Sequence, residues 1–169
     1  DEVAERIVAM EADHIDRSYF DTPAWASDTT HVMDSLRSER NRSKRAHYVA
    51  ALAHSARTDR PEEVERHRFL DLLDQLRPSH LRLLGVVMGT ENDQGGGGID
   101  DLLRERLPDQ DLENIKLDWQ DFTSAGLFQG LPSGMATISV GQRVWHANNA
   151  IGRRFAAFVD AQPEDADLT

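Results

Sequence analysis

The chain has no cysteine, which excludes disulfides, thiolate metal sites and a cysteine nucleophile. Aromatic residues make up only 7% of its 169 positions. No apolar run approaches the ~20 residues that a membrane span needs. Positive charge is also scarce, with 19 Lys and Arg against 30 Asp and Glu and a net charge of −11. That balance excludes a whole-surface nucleic-acid binder, because phosphate contact needs positive potential where it occurs. The start, DEVAERIVAM, carries neither the basic beginning nor the apolar stretch of a secretory signal. It also lacks an initiator methionine, as a processed or trimmed chain would, and the expected setting is cytoplasmic. What is present suffices for a core: three Trp, six Phe and 39% hydrophobic residues argue against wholesale disorder. A chain of this size buries roughly 70% of its unfolded surface without needing covalent staples.

Charge divides the chain near Arg60-Pro61. Residues 1–60 carry 9 basic and 11 acidic side chains, and residues 61–169 carry 10 and 19. The first part reads as a helical arm: one helix through Val3, Ile7 and Met10, a loop from Ser18 to Ser27, and a second helix from about Thr30 to Ala56 capped by Asp28 or Thr29. Two such helices form a hairpin suited to dimerisation. In residues 61–161, helices are expected over Pro61–Leu76, His80–Met88, Ile99–Leu107, about Asp111–Ala125 and Ala150–Ala161. Leu127-Phe128 is placed to begin a strand. The alternating, β-branched Met135–Val140 reads as a strand with Arg143–Trp145 as its partner. Gly95–Gly98 marks a loop, and residues 162–169 form an acidic tail. The expected architecture is mainly α with a small β-hairpin: an N-terminal helical hairpin and a C-terminal domain.

The order of elements after Phe69 resembles a winged helix-turn-helix. Asp121–Phe128 (DFTSAGLF) is similar to the Gly-Leu-Ile end of a third helix entering the first wing strand. Asn149–Phe155 (NAIGRRF) resembles the Leu-Thr-x-x-Gly-x-x-Phe segment leaving the wing in MarR-like proteins, with Asn149 and Ala150 departing from Leu-Thr. The stretch Phe69–Leu84 (FLDLLDQLRPSHLRLL) resembles a segment of the bacterial abortive-infection alpha proteins and related uncharacterised proteins. These resemblances imply a winged-helix-like C-terminal domain and a phage-defence context, and they name no reaction.

The winged-helix resemblance implies that the third helix, Asp111–Ala125, would enter a DNA groove. It carries Asp111, Glu113, Asp118 and Asp121 against Lys116, so phosphates would repel it. Trp119 with Asp118 and Asp121 instead marks a candidate protein-binding surface if the tryptophan is exposed; the simpler reading puts Trp119 in the core. Arg143, Arg153 and Arg154 are candidate contacts on the wing and the last helix. The one dense basic feature is Arg37–Arg45. In a continuous helix Arg37, Arg40 and Lys44 share a face, with Arg45 beside them. That face suits an acidic partner, nucleic acid, or the acidic second half of the same chain.

No metal set is expected. Glu11-x-x-His14 lacks the second copy that a di-iron site needs, and His47 and His54 have no third ligand nearby. No nucleophile elbow or phosphate-binding loop is present, so no catalytic residue or cofactor is assigned. The expected function is a non-enzymatic interaction module that self-associates through the arm or binds a protein partner. The alternative is a DNA-binding regulator using the basic arm and wing.

Overall fold

The computed structural model describes residues 14–89, 99–128 and 150–161. They divide into two compact units. One runs to Leu76 and includes Phe158–Asp160; the other takes Arg77–Ala157 and Ala161.

The first unit holds α1 (Pro23–Ser38), α2 (Arg42–Ser55) and α3 (Glu63–Gln75), preceded by a 3-10 helix, Arg17–Asp21. Thr22 and Pro23 set the start of α1: the threonine Oγ1 accepts from the Trp25 N–H at 3.2 Å, and proline at the first position has no N–H to leave unpaired. The chain then breaks where one long helix was expected. Asn41 Oδ1 accepts from the Lys44 N–H at 2.9 Å and caps α2, while the Asn41 N–H donates to Glu39 Oε1 at 2.7 Å. The middle of α2 is buried almost all round, from His47 to Ala53. Its alanines let neighbouring backbones come close, and it packs against both α1 and α3. From α3, Phe69, Leu70 and Leu73 are fully enclosed, each contributing roughly 1.5–3 kcal/mol by burial. A single antiparallel bridge, Ile15 to Arg57, ties the segment before the 3-10 helix to the end of α2.

The second unit holds α4 (Pro78–Gly89), α5 (Ile99–Arg106), α6 (Leu112–Ser124) and most of α7 (Ala150–Val159). Asp111 caps α6, accepting from the Glu113 N–H at 3.3 Å. Both α4 and α5 pack on α6. Trp119, Phe122 and Phe128 pack together, with ring centroids 4.8 Å apart from Trp119 to Phe128 and from Phe122 to Phe128.

The architecture corrects the expected fold class. Among the described residues there are seven helices, 78% of those residues are helical, and no strand occurs among them. The β-hairpin and the winged-helix wing are therefore not shown among the described residues. Met135–Val140, Arg143–Trp145, Gly95–Gly98, the first expected helix and the acidic tail lie outside the described residues. Leu127-Phe128, expected to open a strand, follows a helix-ending turn; Phe128 forms a β-bridge, and the residues directly after it lie outside those described. Gly126 takes φ 74°, and the N–H groups of Leu127 and Phe128 both donate to the Phe122 carbonyl, at 2.9 and 3.3 Å. Glycine enters that left-handed region without strain, so the backbone can change direction at the end of α6. No described helix is long and apolar enough to cross a membrane.

Candidate functional site

The break between α1 and α2 decides where the basic residues point. Since the helix does not continue through residues 39–41, Arg37, Arg40 and Lys44 do not share a face. Arg37 stays outside, its side chain 75% exposed, and pairs with Asp34 at 2.7 Å. Arg40, Arg42 and Arg45 are exposed too. Arg45 Nη1 donates to the carbonyls of Leu36 and Glu39, so it closes the end of α1. Lys44 turns inward with its side chain only 8% exposed. Its Nζ donates to the Asp74 carbonyl at 3.0 Å and lies 3.6 Å from Glu39 Oε2.

These contacts share a cause. The last carbonyls of a helix have no partner within it, and they carry the negative end of its dipole. Basic side chains of α2 supply the missing donors. Lys44 serves the end of α3 and Arg45 the end of α1. His47 and His54 place Nδ1 at 2.8 Å from the carbonyls of Val159 and Phe158, at the end of α7. A carbonyl only accepts, so both histidines carry hydrogen on Nδ1. Both histidines are thus engaged in capping the end of α7.

Beneath the α1–α2 corner lies a polar cavity of about 400 Å³, with Asp34, Glu39, Lys44, Tyr48 and Asp74 in its lining. Asp74, from α3, is its most constrained group. Its Oδ1 accepts from Ser35 Oγ at 2.8 Å and from the buried Tyr48 hydroxyl at 2.7 Å, and its Oδ2 faces His31 Nε2 at 2.8 Å. Burial alone would raise its pKa, but donation by Tyr48 and Ser35 and the neighbouring His31 outweigh it and hold the carboxyl below its ordinary range. Burial, followed by the hydrogen bond to Asp74, pushes the Tyr48 pKa upward.

Among the described residues, two clusters approach metal-ligand spacing: His31 with Asp71 and Asp74, and His80 with Asp118 and Asp121. The second is arranged for hydrogen bonding. The Arg77 backbone N–H donates to His80 Nδ1 at 3.1 Å, so Nε2 carries the hydrogen and donates to Asp121 Oδ2 at 3.0 Å. That nitrogen has no lone pair for a metal. Arg77 Nη2 sits 2.6 Å from Asp118 Oδ1, where a cation would bind. In the first cluster Asp74 already receives three hydrogen-bonding neighbours.

The remaining expected contacts are scattered. Trp119 and Asp118 are buried, so of the expected protein-binding surface only Asp121 offers its side chain to solvent. Arg154 is exposed and Arg153 half-buried on α7, and Arg143 lies outside the described residues.

Composition gave no sign of the group most deeply enclosed. Asp28, expected as a helix cap, lies inside α1 and is fully buried. Its Oδ2 accepts from Arg66 Nε at 2.5 Å and from the Tyr19 hydroxyl at 2.8 Å. Arg60 stacks over the Tyr19 ring at 4.0 Å. Burial first, and donation to Asp28 second, push the Tyr19 pKa to about 12. The only sequence signal was negative: Thr22-Pro23 already supplies the start of α1, which frees Asp28 from a capping role. No protein-family model matches the chain, and no curated protein or solved structure matches it either.

Proposed function

We propose that the protein is a non-enzymatic helical interaction module that docks an acidic protein surface at the α1–α2 corner. The observation that carries this reading is the outward display of Arg37, Arg40, Arg42 and Arg45 where the helix breaks, with Lys44 withdrawn. The charged groups enclosed in each unit are tied to partners within that unit: Asp28 to Arg66, Lys44 to the end of α3, Asp118 to Arg77. Such ties favour a rigid scaffold over a reactive cleft.

An acidic protein segment suits the corner better than nucleic acid. A phosphate polymer extends past the corner and meets the field of a chain with net charge −11, whereas a short segment senses charges within a Debye length of about 8–10 Å. Self-association through the same arm is one form of this reading. The abortive-infection resemblance would give it a phage-defence setting.

Titration with a labelled Glu/Ser peptide and with duplex DNA, at low and moderate salt, tests it. The expected result is peptide binding that weakens with salt and is lost in Arg40→Glu/Arg42→Glu. No peptide binding at low salt would overturn the reading. DNA binding with a steep salt slope would replace it with a regulator that uses the basic arm. Sedimentation at micromolar concentration separates a second copy of this chain from a different acidic partner.

A further inference from the structure

We infer that the cavity beneath the arginine corner receives one basic side chain of the docked partner, so that the recognised segment is an arginine or lysine flanked by carboxylates. This rests on the proposed docking at the corner. The cavity and the corner carry opposite charge and adjoin one another. Asp34, Glu39 and Asp74 line the cavity against one ammonium, that of Lys44. The arginines are fastened to this same lining. Arg37 pairs with Asp34 at 2.7 Å, and Arg45 holds the Glu39 carbonyl at 3.3 Å.

The acceptors for that basic side chain are Asp34 and Glu39, and Asp74 adds charge while anchoring the lining. The Asp74 carboxylate is fixed on both oxygens by Tyr48, Ser35 and His31, and Glu39 is held through Oε1 by the Asn41 N–H. A volume of about 400 Å³ lies in the range of small-ligand pockets and is ample for a guanidinium or ammonium head. The charge pattern then selects the occupant. A uniformly acidic segment would lay a carboxylate over three others, and a uniformly basic one would meet the arginine rim. An acidic segment with one central cation satisfies both, and specificity of this kind comes from the repulsive alternatives as much as from the attractive match.

The test uses the full chain and two labelled Glu/Ser peptides, identical except for a central arginine or serine. The arginine peptide should bind about tenfold more tightly, a difference of roughly 1.4 kcal/mol. In Asp34→Asn/Glu39→Gln that preference should vanish, while the serine peptide binds no worse. The glutamine keeps an oxygen for the Asn41 N–H. Asp34→Asn alone, at a side chain 62% exposed, serves as the second variant if the pair disturbs folding, and should reduce the preference. Equal binding of both peptides to the unaltered chain overturns this inference and leaves the docking reading standing. Binding of neither peptide overturns both. Preference for a single-stranded DNA oligonucleotide over either peptide also overturns both.

Discussion

Asp28 lies in the interior of α1 and shares one carboxylate oxygen between Arg66 and Tyr19. Removing a single partner of such a pair leaves an uncompensated buried charge, which typically costs 3–5 kcal/mol. Arg66→Ala should therefore lower the urea midpoint by a corresponding amount. Asp28→Leu/Arg66→Met removes both charges and should cost much less than the single change; an equal or greater loss would show that the pair itself is net stabilising. The tyrosines offer a second measurement at this scale. The chain contains two, Tyr19 and Tyr48, and both are shifted upward. A raised folded-state pKa gives stability that is complete below pH 10 and is lost as pH rises through about 12 for Tyr19. Absorbance at 295 nm should show almost no tyrosinate in the folded protein at pH 10. Tyrosinate should appear at higher pH together with loss of helical circular dichroism. Half-titration at pH 10 with the helices intact would contradict the two hydrogen bonds.

At the scale of elements, the break at residues 39–41 has the largest consequence. Asn41→Ala removes the side-chain cap of α2 and should cost about 1 kcal/mol, seen as a lower thermal midpoint. A change within a few tenths of a kcal/mol would show that the Glu39 to Asn41 contact holds the break without the cap. This break was hard to read in the sequence. The cations at 37, 40 and 44 have helical spacing, and that periodicity masked the cap signal of Asn41. Where periodicity and punctuation agree, the segments were legible. Glu63–Gln75, Pro78–Gly89, Ile99–Arg106, Leu112–Ser124 and Ala150–Val159 lie close to the spans that their apolar stripes and Pro or Asp starts indicate. After α6, Gly126 in the left-handed region turns the backbone, and Phe128 forms a bridge where the strand was expected to begin.

For the whole molecule, the net charge of −11 and a pI near 5.0 set the solution behaviour. Self-repulsion at neutral pH vanishes near the pI, so turbidity at low salt should peak close to pH 5 and clear as the pH returns to 7. A maximum well above pH 6 would mean that the exposed carboxylates titrate far from their ordinary range. The sequence by itself determined the spans of most helices, the helix starts marked by proline and aspartate, and the crowding of cations at 37–45, because periodicity, capping and charge are local properties. Only the tertiary structure decided what those cations do. Lys44 points inward because the carbonyl it serves lies 30 positions along the chain. Asp28 is enclosed because its arginine comes from 38 positions away. Asp74 is fixed by His31 across 43. Pairings at such separations depend on which helix ends the packed core brings together, and no window of local sequence carries that information.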